Sequence, residues 1–290
     1  MKKLFYFFVM AAMVLGMASC GQNEPGLEDG VIKGKFSVSA DKQVWFSRGN
    51  LQYCPANDVW RFAEHQYDTL GVANAKIADT YDGWIDLFGW GTGGKPTNFS
   101  EDKEDYDNWV DWGHKPITNG RNTVDMWRTL ERSEWVYLMH GRKGADTLFA
   151  TATVNGVRGM ILLPDVWQTP EEIVFTPSTK IQDEDLGCFV WQEQNVRYYN
   201  EKERSYEHNI YTAEQWSKME AKGAVFLPAA GMRWSKSVNV YETEGRGYYW
   251  SSTLVENGAY TFYFKPAYIL PELTASRVSG IAVRLVQDVK

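Results

Sequence analysis

The chain has 290 residues, 44% of them hydrophobic and 23% charged, which excludes a disordered protein and suits one large domain or two ordinary ones. Formal net charge is −7, or −9 once Lys2 and Lys3 leave with an export segment; this argues against a protein that holds nucleic acid by displacing counterions from phosphates. Aromatic residues reach 15%, with 13 Trp, 16 Tyr and 14 Phe, enough large rings to fill a wide core and still reach the surface.

The first element is an export signal. Lys2-Lys3 form a positive start, an apolar run from Leu4 to Ala18 follows, and small residues close it. The run is too short for a comfortable membrane span and has the layout of a secretory signal over residues 1–19. Met17-Ala18-Ser19-Cys20 resembles the lipobox of bacterial lipoproteins, with Met17 where Leu is usual; the resemblance implies that Cys20 is lipidated and becomes the mature N-terminus. Several acyl chains, at roughly 0.8 kcal/mol per buried CH2, hold a protein to a bilayer where one does not. The lipidated Cys and a polar tether occupy residues 20–33, and nothing later is apolar enough to span a bilayer, so membrane contact is expected through the anchor alone. The expected place is the cell envelope, as an outer-membrane lipoprotein; Glu24, Glu28 and Asp29 favour surface exposure, and a periplasm-facing anchor is the other reading. Cys54 and Cys188 are left either to pair or to stay as partly buried thiols.

Beyond the tether, short strands dominate. Lys35 to Ala40 alternates, Gln43 to Ser47 is apolar and β-prone, and Val59 to Ala63 is the next strand. The clearest local pattern is a hairpin: residues 147–154, an Asn155-Gly156 turn that suits type I′, and residues 157–163 closed by Pro164. Two helices are predicted. Arg132 to Gly141 puts Trp135, Leu138 and Met139 on one side, and Thr212 to Lys222 opens with the capping-box pattern Thr212-x-x-Gln215. Asp79 to Gly120 reads as a long irregular loop. In Tyr260 to Lys265, strand periodicity sets Tyr260, Phe262 and Phe264 on a core face and Thr261, Tyr263 and Lys265 on an outward face. In the last strand Ile281, Val283 and Leu285 oppose Arg284, which reads as a structural salt-bridge partner.

Three blocks carry a family resemblance. Trp127-Arg-Thr-Leu-Glu-Arg-Ser-Glu-Trp135 resembles the helix-opening motif of the formylglycine-generating-enzyme-like branch of the C-type lectin fold. Gly223 to Gly231 followed by Gly247-Tyr-Tyr-Trp-Ser-Ser252 resembles its middle strands, and Gly280 to Val286 its closing strand. The order and spacing are similar to lipoproteins of the major paralogous domain type and to the variable proteins of diversity-generating retroelements. The resemblance implies an α+β fold: a single C-type-lectin-like domain over residues 34–290 with short strands, two main helices and long irregular loops. Glu131 stands where that motif usually has a Thr cap, which predicts a weaker cap.

By resemblance the ligand face comprises outward positions of the last strands and the loops beside them. Carried over, these are Tyr248, Ser252, Thr253, Leu254, Glu256, Asn257, Thr261, Tyr263, Lys265, Tyr268 and Arg277. Tyr offers contact area at little entropic cost, and Ser and Asn offer adaptable hydrogen bonds, so a protein or glycan partner is implied; the other reading is a solvated β-rich surface. A second candidate is glycan stacking on Trp84, Trp90, Trp109 and Trp112, which otherwise fill the core, and a third is a structural part in a surface assembly.

Chemistry is not evident. No Cys follows Cys188, so the Cys pair of the formylglycine-generating enzymes is absent, and the tripeptides of calcium-dependent sugar lectins do not occur. The expectation is a non-catalytic protein without a resident cofactor. Calcium is the one ion the residues leave open, through the acidic run Glu101, Asp102, Glu104, Asp105, Asp107 and Asp111, which otherwise is a solvated face or an acid/base pair. His65, His114, His140 and His208 share no metal-ligand spacing, and there is no nucleophile elbow, P-loop or dinucleotide fingerprint.

Overall fold

The computed structural model describes residues 30–178, 206–239, 245–265 and 268–290. The export segment, Cys20, most of the tether and Cys188 lie outside them.

The chain is a mixed α+β fold of short strands and few helices, arranged as several small sheets. In chain order the strands are β1 (Phe36–Ser37), β2 (Gln43–Phe46), β3 (Leu51–Cys54), β4 (Val59–Phe62) and β5 (Arg128–Thr129). Helix α1 (Arg132–Val136) then continues as a single wider turn over Tyr137–Gly141. The chain resumes with β6 (Phe149–Val154), β7 (Val157–Leu162), β8 (Ile210–Tyr211) and helix α2 (Ala213–Glu220). It ends with β9 (Val225–Pro228), β10 (Met232–Trp234), β11 (Ser237–Asn239), β12 (Gly247–Val255), β13 (Gly258–Lys265), β14 (Tyr268–Ala275), β15 (Ser279–Gly280) and β16 (Leu285–Asp288).

Local chemistry accounts for the best-defined elements. Asn155 and Gly156 both adopt positive φ, 48° and 80°, the type I′ geometry whose twist matches the strands it joins, and β6 pairs with β7 in unbroken register from Val154↔Val157 to Phe149↔Leu162. Helix α2 opens with Thr212 Oγ1 accepting from Gln215 N at 3.2 Å while Gln215 Oε1 accepts from Thr212 N at 2.9 Å. Helix α1 lacks the Thr cap, but Glu134 Oε2 accepts from Glu131 N at 2.8 Å, and the N–H of Arg132 donates to Thr253 Oγ1 at 3.0 Å. A hydroxyl from another strand thus serves the helix opening.

Two sheets divide the interior into three apolar clusters. The sheet β8-β6-β7-β9 sends Met160 and Leu162 to one side and Ile161 and Leu163 to the other, where Trp216 and Met219 of α2 cover it. The sheet β12-β13-β14 sends Tyr249, Phe262 and Phe264 into the same central cluster and Tyr248, Trp250 and Tyr263 into another cluster, with Trp90 and Trp112. Trp135 of α1 stacks on Phe262, ring centroids 4.6 Å apart and planes within 5°. Sheets covered on both faces show no amphipathic alternation. Ile281, Val283 and Leu285 do share a cluster as their spacing predicts, with Ala282 and Val286 in the other.

Arg284 corrects the salt-bridge reading. It is 1% exposed and donates to neutral oxygens: Gln66 Oε1, Phe226 O at 3.3 Å and Asn50 Oδ1 at 3.5 Å. Burial lowers its pKa to about 10.

Candidate functional site

The end of the β12–β13 hairpin is built by a break in pairing. Register runs from Gly247↔Phe264 to Trp250↔Thr261, then shifts before Leu254↔Ala259 and Val255↔Gly258. The irregular stretch Ser251 to Thr253 is anchored from several sides. Ser251 Oγ donates to Tyr260 O at 2.9 Å, Ser251 O accepts from Trp90 Nε1 at 2.9 Å, and Ser252 N donates to Leu130 O at 2.9 Å. Between those pairs β12 advances four positions and β13 two, and such extra residues bend a strand and re-aim its side chains. Beyond it Leu254 is 53% exposed, and Glu256 and Asn257 at the turn are exposed too. Beside the tip Arg132 pairs with Glu272, and its guanidinium lies 4.9 Å from the centroid of the half-buried Tyr260 ring.

The predicted outward row is not outward. Thr261 is fully buried and donates to Tyr249 O at 2.8 Å; Tyr263 is 8% exposed, and its ring lies 4.8 Å from that of Tyr248, itself 7% exposed. Arg277 is buried as well, ion-paired with Asp107, and its carbonyl accepts from Trp90 N at 2.9 Å. The alternation holds from Thr261 to Phe264, but both faces of β13 meet apolar clusters, so the face opposite Phe262 and Phe264 is a second core rather than a display. Tyr260, assigned to the core, is the half-exposed one. Ser252, Thr253 and Lys265 are half-buried, and Thr253 has the capping role described above. Tyr268 sits in β14 opposite Lys265, and its side chain lies outside what is described. Of the eleven positions, therefore, Ser252, Thr253, Leu254, Glu256 and Asn257 come together at the tip, Lys265 lies at the far end of β13, and Tyr248, Thr261, Tyr263 and Arg277 are interior.

The Trp-rich loop is also mostly interior. Trp90 and Trp112 are 3% and 0% exposed, which removes them as stacking platforms, and Trp109 packs 4.4 Å from Trp90. Arg61 covers one face of Trp84 at 3.8 Å. Trp234, which no sequence pattern singled out, is 45% exposed at the end of β10. The acidic run is exposed at Glu101, Asp102, Glu104, Asp105 and Asp107 and buried at Asp111. Asp111 accepts from Gly113 N at 2.9 Å and from Thr129 N and Oγ1 at 3.0 and 2.9 Å, and Asp102 accepts from Glu104 N at 3.2 Å. Among the described residues no group of three or more His, Cys, Asp or Glu is placed to hold a metal ion. Cys54 is a buried free thiol that donates to Asp82 O at 3.6 Å.

A family model described as a domain of unknown function, DUF8237, matches residues 191–286. The match spans about a third of the chain and takes in β8 to β15 with the whole hairpin tip, but not β1 to β7. No curated protein matches the chain, and no solved structure does. No helix among the described residues is long and apolar enough to cross a membrane.

Proposed function

We propose that the protein is a lipid-anchored, non-catalytic recognition protein of the outer membrane on a C-type-lectin-like scaffold, and that it meets a protein or glycan partner through the tip of the β12–β13 hairpin. The observation that carries this is the cluster of Leu254, Glu256 and Asn257 held clear of the core by a pinned bulge, with Leu254 53% exposed. An apolar anchor with adaptable polar neighbours on a rigid support is the composition of a contact surface. Two features support the scaffold reading: the residues 127–135 form β5 and the opening of α1, and Gly280 to Val286 runs into β16. The lipid anchor and outward display rest on Lys2-Lys3, the apolar run and Cys20.

The test is a triple variant, Leu254→Ala, Glu256→Ala and Asn257→Ala, in the detergent-solubilised protein, read on a glycan array and by capture from envelope extracts beside a thermal melt. The expected result is lost capture with an unchanged melting temperature, because surface changes of this kind shift stability by no more than about 0.5 kcal/mol each. Capture by the triple variant equal to the parent's sinks the site.

A further inference from the structure

A second surface has the better construction for a ligand. Residues 32–36 alternate buried and exposed, so Ile32, Gly34 and Phe36 enter the core while Lys33 and Lys35 face out. The segment runs beside β2, with a Val31↔Ser47 bridge, and β2 alternates in the same way, burying Val44 and Phe46 and turning out Trp45. Gln287 of β16 lies opposite Trp45 in register. Lys33, Lys35, Trp45 and Gln287, with Arg121, Met126 and Lys290, line an open groove of about 730 Å3, within the roughly 300–1,000 Å3 of small-ligand sites.

The groove is cationic in an acidic protein. Five Lys or Arg side chains line it against Asp125 and Asp288, in a chain of net charge −7, and one of the five, Arg128, is committed to Glu134 and Asp288. Both acids have partners: Asp288 accepts from Arg128 Nε at 2.9 Å and lies 3.6 Å from Lys42 Nζ, and Asp125 meets His114 Nδ1. Gln287 Nε2, shielded from solvent, has no acceptor among the described residues. That atom lies beneath the groove surface, out of reach of a ligand, so the recognition falls to the side chains on the groove wall. Arg121 and Asp125 of the groove wall, and Asn122 beside them, all hold positive φ, 68°, 56° and 51°.

We propose that this groove binds an acidic oligosaccharide, its ring faces lying on Trp45 and Met126 and its carboxylates meeting Lys33, Lys35 and Lys290. A flat indole floor fits a sugar face, and ammonium groups on flexible stems meet carboxylates presented at intervals without demanding one fixed geometry. The site is separate from the hairpin tip and stands whether or not the tip binds anything.

Titration of the whole detergent-solubilised protein with oligogalacturonate, beside a neutral cello-oligosaccharide and poly-glutamate, tests it. Oligogalacturonate is expected to bind, to weaken as salt screens the lysines, and to weaken roughly tenfold or more in Lys33→Glu/Lys35→Glu and in Trp45→Thr. The Leu254/Glu256/Asn257 triple variant is expected to bind it like the parent, which keeps failure at the tip distinct from failure here. A melting temperature near the parent's shows that each groove variant is folded, and Lys33→Gln/Lys35→Gln provides a milder second pair. Equal binding of the neutral sugar, retention in the charge-reversed pair, or poly-glutamate binding with the same dependence on Trp45 overturns the assignment.

Discussion

Arg284 and Asp86 show how much polar chemistry this core encloses. Arg284 is held by carbonyl and amide oxygens, and its Nε has no partner among the described residues. An unpaired buried cation is costly, so the value of the residue lies in its volume and in the acceptors it satisfies. Arg284→Ala is expected to destabilise by about 3 kcal/mol or more, through a cavity and orphaned oxygens, while Arg284→Met recovers much of that loss by filling the space without a charge. Urea unfolding decides it; equal stability of the two variants contradicts the account. Burial pushes the Asp86 carboxyl up to about 6, against hydrogen bonds from Asn74 Nδ2 and Leu70 N that favour the charged form. In the unfolded chain an Asp titrates near 3.9, so folding takes up a proton between these values. The group's contribution is therefore full below about pH 4 and lost as pH rises through about 6. Melting temperatures from pH 4 to 7 should show the parent losing ground to Asp86→Asn over that window. A constant difference between them counts against the shift.

At the scale of elements, the patterns set by adjacent residues were the legible ones. The Asn155-Gly156 turn and the Thr212/Gln215 box each need only neighbours in sequence, and both formed. The start of α1 at Arg132 was legible, and Glu134 serves it locally, but its second partner, Thr253, lies 121 positions away and left no sign in the sequence. Thr253→Val keeps the shape and removes the acceptor; a loss of about 1 kcal/mol is expected in thermal unfolding, and no loss means that the N–H of Arg132 is served otherwise. Strand β13 shows the other limit. Its period of two was readable from Tyr260 to Lys265, but which face meets water depends on what packs there. Trp90 and Trp112 arrive from a loop more than a hundred residues earlier. Glycine-rich, aromatic-dense loops give no periodicity that announces such packing.

For the whole molecule, the mixture of short strands and two short helices followed from composition and punctuation, while the division into three clusters did not. Both inner sheets are covered on two sides, and an aromatic content of 15% supplies the rings to do it. On the proposed reading, recognition leaves the covered faces of the β12-β13-β14 sheet for its hairpin tip and for the groove side of β2 and β16. The tip lies inside the segment matched by the family model and most of the groove lies outside it, so the two surfaces need not share a history.

The most direct test is site-specific photo-crosslinking in intact cells, with a benzophenone side chain placed at Leu254 in one strain and at Tyr263 in another. A defined adduct is predicted from position 254 and only internal products from position 263. Adducts from 263 with none from 254 would contradict both the buried strand face and the proposed contact surface.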